Sequence, residues 1–191
     1  MLLQKIDILP FLNVMAENYY QVIPEEYKKY CILNAQICQE VLRHFNIASF
    51  FLPTQLWCVD DELNYVVGFV GNEPQPGIWD GHAICATNEY IFDASTVHLR
   101  NEHGLDVPDV VIGERFKIPS HAIARRNLAG SMRLWWHDAP AVIQRHPVLE
   151  DFELVKTLAG DLINNLERVH LGDHAPVFSA SQIQGFRAAS D

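Results

Sequence analysis

The sequence predicts a single α+β domain over residues 1–191. Apolar residues at helical spacing mark helices near both ends of the chain, and short apolar runs typical of strands lie between them. No internal repeat divides the sequence. The length of 191 residues and the hydrophobic share of 49% are those of one domain that can bury its own core.

The N-terminal region predicts two helices joined by a turn. Residues 10–22 place apolar side chains on one broad face, which predicts an amphipathic helix. Pro24 restarts the chain, and Glu25 and Glu26 put negative charge at the positive end of a short second helix. In residues 31–45 the apolar positions recur at intervals of three and four with no Gly or Pro among them, which predicts a long, mostly buried helix.

The middle of the chain predicts strands around a long loop. Residues 48–59 and 65–70 are rich in aromatic and aliphatic side chains, which is typical of strands. Residues 71–81 contain two Pro and three Gly, a composition that supports neither a helix nor a central strand. We therefore expect a connecting loop there, and loops of this kind often border a functional site.

A β-hairpin is predicted directly after this loop. Residues 82–87 and 90–94 are two short apolar runs, and Asn88 and Glu89 separate them as a tight turn. The two arms of this hairpin carry His82 and Asp93.

The second half of the chain predicts one further long helix. Residues 95–113 have a mixed, loop-like composition, whereas residues 151–169 place apolar side chains on one helical face and Gly172 follows just past the end. Trp135 and Trp136 are adjacent, so on a strand they would face opposite sides, and we expect at least one of them in the core. Residues 180–191 are expected to fray because they are mostly small or polar.

The charge and composition argue against several classes of partner. A net charge of −10 without a run of Lys or Arg disfavours binding to nucleic acid. No apolar stretch reaches the ~20 residues of a membrane span, and Lys5 and Asp7 occur where a signal peptide would be apolar. We therefore expect a soluble, cytoplasmic protein without a membrane partner, and the apolar content leaves room for a homodimer.

The four cysteines are expected to be reduced thiols rather than disulfides or zinc ligands. Their spacing contains no CxxC pair, and a cytoplasmic chain of this size keeps its thiols reduced. Cys38 lies two helical turns after Cys31 and is expected to pack in the core. Cys58 and Cys85 lie in apolar strands, where burial makes a thiol inert.

Cys31 is the candidate nucleophile because its position can lower the pKa of a thiol. The positive end of a helix and a neighbouring imidazolium both favour the thiolate. A break in the chain near Tyr30 would place Cys31 on the first turn of the long helix. If residues 25–45 formed one uninterrupted helix instead, only a histidine could activate the sulfur.

His82 and Asp93 are the candidate base and the group that orients it. A turn centred near Asn88 brings Asp93 within one or two residues of lying opposite His82, on the same face if the register is favourable. A carboxylate in that position would hold the imidazole. Thiol, imidazole and carboxylate then have the roles of nucleophile, base and orienting group that recur on unrelated folds.

These three residues carry a resemblance to a known family. Residues 31–47 read CILNAQICQEVLRHFNI, residues 81–83 read GHA and residues 91–96 read IFDAST. This order, over residues 31–96, resembles the transglutaminase-like branch of the papain-like cysteine protease superfamily. The resemblance implies a papain-like or transglutaminase-like fold, in which an antiparallel sheet packs against an N-terminal helix bundle that carries the cysteine. It also implies a Cys31, His82 and Asp93 triad, and acyl transfer through a thioester.

Two functions remain open from the sequence. The first is a thiol-dependent hydrolase or acyltransferase that acts on a peptide or a small amide or acyl substrate, with no cofactor or metal. The backbone N–H of Cys31 is one candidate donor to the oxyanion. The second is a catalytically silent papain-like fold that serves as a binding or assembly module through the loop at residues 71–81.

The remaining histidines are not assigned a role in the sequence. His170 and His174 have a spacing that could suit a metal, but Gly172 between them indicates that the helix has ended. Five others are scattered without an acidic or cysteine cluster; they are His98, His103, His121, His137 and His146.

Overall fold

The computed structural model describes residues 8–61, 64–68, 81–116, 122–139 and 151–171. The helices within these residues are α1 (Ile8–Val22), a 3₁₀ turn (Glu25–Tyr27), α2 (Cys31–His44), α3 (Val97–His103) and α4 (Phe152–Leu171). The strands are β1 (Phe50–Val59), β2 (Asn64–Val67), β3 (His82–Ala86), β4 (Tyr90–Asp93), β5 (Val111–Arg115), β6 (Ala122–Asn127) and β7 (Arg133–Asp138).

Six of the seven described strands form a closed antiparallel barrel. Strands β3 to β7 pair in chain order, each with the next. Strand β1 pairs with β3 through Phe50–Thr54 and with β7 through Thr54–Val59, which closes the ring. Strand β2 pairs only with the second half of β1, so it lies outside the ring.

The predicted papain-like or transglutaminase-like arrangement, a sheet packed against an N-terminal helix bundle, is therefore wrong. The pairing that overturns it joins Thr54 to Asp138 and Val59 to Arg133. A strand's alternation of side chains predicts which residues share a face, but it does not predict which strand pairs along each edge. The ten-residue β1 is long enough to pair with β3 and β7, and this pairing closes the sheet.

The barrel interior is a single apolar cluster with contributions from all six strands. Its fully buried members include Leu56 and Cys58 from β1, Ile84 from β3, Ile91 from β4 and Trp136 from β7. Because side chains alternate along a strand, the neighbours of these residues point outward.

The helices cover one outer face of the barrel. Cys85 of β3 and Phe92 of β4 share a buried cluster with apolar residues of α1, α2 and α4. Hydrophobic burial on both faces of β3 explains why all five of its residues are buried. The beginning of α2 is thereby held against the beginning of β3, where the candidate site lies.

Several sequence predictions of individual elements are confirmed. The helices predicted at residues 10–22, 31–45 and 151–169 correspond to α1, α2 and α4, and the predicted hairpin is β3 and β4. Helix α3 was not predicted, since residues 95–113 lack a long apolar stripe. Residues 71–80 of the predicted loop and residues 180–191 lie outside the described residues.

Candidate active site

Cys31 is the first residue of α2. Tyr30 directly before it is extended, with φ −88° and ψ 97°, and makes no side-chain cap to the helix. The break predicted near Tyr30 is thus confirmed, and the thiol lies on the first turn of a 14-residue helix. Unpaired backbone N–H groups give this end of a helix a partial positive charge.

The buried side chain of Asn34 maintains this break. Its Nδ2 donates hydrogen bonds to the carbonyl oxygens of Lys28 at 2.8 Å and Tyr27 at 3.2 Å. Its Oδ1 accepts a hydrogen bond from the hydroxyl of Tyr19. The amide group therefore ties the preceding turn and α1 to the start of α2.

Asn34 was not predicted to belong to the site from the sequence. The only indication in the sequence is that Asn34 is a polar residue three positions after Cys31 on an otherwise apolar helix face. In the structure Asn34 is 1% exposed. A buried amide of this kind has to find hydrogen-bond partners.

His82 and Asp93 form a buried pair at the end of β3 and β4. His82 Nε2 lies 2.6 Å from Asp93 Oδ2, and the two side chains are 1% and 0% exposed. Continued by one residue, the register that pairs Cys85 with Phe92 places Asp93 opposite Ile84. Ile84 is two residues after His82 on the same strand, so the side chains of Asp93 and His82 lie on the same face. The prediction that Asp93 lies within one or two residues of the position opposite His82 is therefore confirmed.

The carboxylate of Asp93 accepts further hydrogen bonds besides the one from His82. Trp136 Nε1 donates to Oδ2 at 2.9 Å, while the backbone N and the Oγ of Ser95 donate to Oδ1 at 3.2 and 3.0 Å. Burial by itself favours the neutral acid, but the charge of His82 and these donors outweigh it and lower the pKa of Asp93. The carboxylate is therefore ionised in the core.

His82 is correspondingly stabilised as a cation. Burial alone would lower its pKa, but the charge and hydrogen bond of Asp93, together with a hydrogen bond to Cys31, raise the pKa of His82 to about 10. Since Nε2 contacts Asp93, Nδ1 is the ring nitrogen left for the thiol.

The Cys31 side chain is partly exposed and lies against the start of β3. Its Sγ is 3.8 Å from the carbonyl oxygen of Gly81, and it packs beside Ala83 and Phe51. The structure thus brings together Cys31, His82 and Asp93.

The other three cysteines are buried away from this position. Burial raises the pKa of Cys58 and of Cys85 to about 12, and it raises the pKa of Cys38 as well. Deprotonation at neutral pH is therefore unfavourable for these thiols, in agreement with their predicted role in packing.

The barrel determines on which side of β7 the adjacent Trp135 and Trp136 lie. Trp136 faces the interior and contacts Asp93, whereas Trp135 lies on the outer side with its ring 6.5 Å from that of His137. His98 was given no role in the sequence analysis, yet its ring centroid lies 6.5 Å from that of His82.

No cluster of three or more His, Cys, Asp or Glu suited to a metal ion occurs among the described residues. His121, His146 and His174 lie outside those residues. None of the described helices is long and apolar enough to span a membrane. Models of protein families, curated proteins and solved structures contain no match to this chain.

Proposed function

We propose that this chain is a cysteine-dependent amide hydrolase or acyltransferase. The proposal assigns Cys31 as the nucleophile, His82 as the acid and base, and Asp93 as the group that orients the imidazole. One observation carries it: a partly exposed thiol at a helix N-terminus lies against the start of β3, beside an imidazole whose Nε2 bonds a buried carboxylate. The resemblance to transglutaminase-like sequences supports the same chemistry. The papain-like fold that it implied is not the fold observed.

In the first half-reaction, the Cys31 thiolate attacks the carbonyl carbon of an amide. A C–S bond forms and the carbonyl π electrons move to oxygen. His82 Nδ1 then gives its proton to the amide nitrogen, the C–N bond breaks, and an amine leaves behind a thioester on Cys31. The N–H groups on the first turn of α2, including that of Cys31, are candidate donors to the oxyanion.

In the second half-reaction, water or an amine attacks the thioester carbonyl. His82 Nδ1 removes a proton from the attacking group, the C–S bond breaks, and the thiolate returns. Attack by water is hydrolysis of a peptide or small amide, and attack by an amine is acyl transfer. Asp93 keeps Nε2 protonated throughout, which leaves Nδ1 to carry the transferred proton.

The proposal includes a cytoplasmic location. All four cysteines are free thiols. A reducing compartment keeps such thiols unpaired, and a nucleophilic cysteine requires that state.

Thiol reactivity at acidic pH tests this function directly. The protein is treated with iodoacetamide at pH ~5.5, and mass spectrometry locates and times the alkylation. We expect fast modification of Cys31 in the native protein, slow modification in His82→Gln, and none at this position in Cys31→Ala. Hydroxylamine added during turnover of a fluorogenic amide should capture the acyl group as a hydroxamate.

If Cys31 reacts only as the pH approaches ~8.5, as a free cysteine does, the enzymatic function is excluded. The protein would then act as a binding or assembly module that retains the three side chains without their chemistry.

A further inference from the structure

Four rings form a continuous row on the outer side of the barrel. Trp57 of β1 lies directly opposite Trp135 of β7, and Phe116 follows the end of β5. The ring centroids of Trp57 and His137 are 5.3 Å apart. The centroid of Trp135 lies 6.5 Å from that of His137 and 6.5 Å from that of Phe116. These four residues, here named the aromatic row, therefore extend from β1 across β7 towards β5.

The aromatic row is open to solvent at both ends. Trp57 and Phe116 are 39% and 37% exposed, whereas the described helices pack on Cys85 of β3 and Phe92 of β4. Single exposed aromatic side chains are common on protein surfaces, but a contiguous group of them is typical of an interaction site. Trp, Phe and Arg are also the side chains that are enriched at the interfaces between proteins.

Arg125 and Glu114 give the same face charges of both signs. Arg125 of β6 lies directly opposite Trp135 on one side and Glu114 on the other. Its guanidinium lies over the ring of Trp135, 5.8 Å from the centroid. Directly opposite side chains of adjacent strands are close enough to interact, yet within the described part of the chain Arg125 and Glu114 form no ion pair. Both side chains are exposed, so each can meet an opposite charge on another molecule.

A second copy of this chain fits these charges. In an interface with twofold symmetry, the same surface of both copies takes part, and a contact from one residue to another occurs twice. Arg125 of each copy can therefore meet Glu114 of the other. A partner that carried charges of one sign only would place a like charge opposite either Arg125 or Glu114, which is unfavourable.

We infer that this chain forms a twofold symmetric homodimer through the outer face of β1, β7, β6 and β5. The aromatic row forms the apolar centre of the interface, and the two reciprocal pairs of Arg125 with Glu114 lie beside it. The inference goes beyond the proposed function, because it concerns assembly and holds or fails independently of the chemistry of Cys31.

Sedimentation equilibrium of the full chain tests this assembly. At ~100 µM we expect the native protein to have twice the mass of one 21.8 kDa chain. The double variant Trp57→Ser and Phe116→Ser should raise the dissociation constant of the dimer by ~10-fold or more, since a few central aromatic side chains carry most of the binding energy of an interface. A native protein that is monomeric at this concentration would overturn the inference.

A matched control removes two exposed aromatic side chains elsewhere. Tyr20 of α1 and Phe152 of α4 are 50% and 60% exposed. The double variant Tyr20→Ser and Phe152→Ser should keep the dissociation constant within ~2-fold of the native value. Circular dichroism checks that both double variants are folded. Equal weakening by the two would show that the aromatic row is not the interface, and the inference would be overturned.

Charge reversal tests the reciprocal pairing while the aromatic row stays intact. Arg125→Glu and Glu114→Arg should each raise the dissociation constant by ~10-fold or more, because each change places like charges opposite one another. An equimolar mixture of the two single variants should form a heterodimer with near-native affinity, since both pairs are then attractive again. If neither variant weakens the dimer, or if the mixture associates no better than each variant alone, the inference is overturned.

Discussion

The two halves of the candidate site are built in different ways. His82 and Asp93 begin and end barrel strands and are 1% and 0% exposed, whereas Cys31 starts a helix outside the barrel and is partly exposed. Strand register and hydrogen bonds from distant residues hold the buried pair. The break in the chain before α2 positions the thiol, so the nucleophile is partly exposed while the charged pair is buried.

The difference also concerns how each half contributes to stability. A buried ion pair adds little to stability when intact, yet it is expensive to break because one charge remains without its partner. The Cys31 half instead depends on neutral hydrogen bonds from Asn34 to the preceding turn. Variants that remove one charge of the buried pair should therefore have larger effects on the free energy of unfolding than variants in the helical half.

The largest effect is expected for Asp93→Ala. This change leaves His82 buried without its counter-charge, so the free energy of unfolding should fall by ~3–5 kcal/mol in urea denaturation. Modification of Cys31 at acidic pH should also slow, because the imidazolium is no longer stabilised. Asp106→Ala, at an exposed position, is the control. A loss below ~1 kcal/mol for Asp93→Ala would contradict the importance of the pair.

The pH dependence of stability follows from the same pair. The pKa of His82 is raised to about 10, so its stabilisation is complete below the unfolded value of ~6.5 and is lost as the pH rises towards 10. Between these limits the free energy of unfolding of the native protein should fall by ~2–4 kcal/mol more than that of His82→Gln, as measured by urea denaturation at several pH values.

The acidic side has the opposite sign. The lowered pKa of Asp93 means that its stabilisation is present above the unfolded value of ~3.9 and is lost as the pH falls through the folded pKa. If the native protein and His82→Gln gave parallel stability curves above pH ~6.5, the two charges would not interact as described.

A smaller effect is expected for Asn34→Ala. The change removes the hydrogen bonds to Tyr27 and Lys28 and leaves the Tyr19 hydroxyl without its acceptor. The free energy of unfolding should therefore fall by ~1–3 kcal/mol. Cys31 alkylation at pH ~5.5 should slow as well, because the helix start is less well defined.

Gln39→Ala is the matched control for this prediction. Gln39 lies on the same helix, and its Nε2 makes a long 3.5 Å hydrogen bond to the Ser49 carbonyl. It should change stability by no more than ~0.5 kcal/mol and leave Cys31 reactivity unaltered. Equal effects of both amide variants would show that Asn34 does not set the break.

The smallest effect is expected for Trp136→Phe. The indole that donates to Asp93 is lost while most of the apolar volume stays, so the free energy of unfolding should fall by ~1–2 kcal/mol. The pKa of Asp93 should rise towards its ordinary value, which moves the acid limb of the stability curve to higher pH. Trp135→Phe, on the outer side of the barrel, controls for the change of ring and should shift neither quantity.

The parts of the site that sequence could predict are those that depend on neighbouring residues. The hairpin follows from two apolar runs around Asn88 and Glu89, and its alternation places His82 and Asp93 on one face. Trp136 could not be distinguished from Trp135, because alternation identifies two faces without saying which is interior. Ser95 and Asn34 were missed because their partners are apparent only once the chain has folded.

The residues of the chain alone account for where α2 begins, where the hairpin turns, and which of its side chains share a face. Periodicity and helix breaks are local properties, determined by steric and hydrogen-bonding preferences over a few neighbours. The closed barrel, the contact from Trp136 to Asp93 and the meeting of Cys31 with His82 depend on the folded chain. These contacts join residues far apart in sequence, and which strand edges and helix faces pair depends on the burial of the whole molecule rather than on any local pattern.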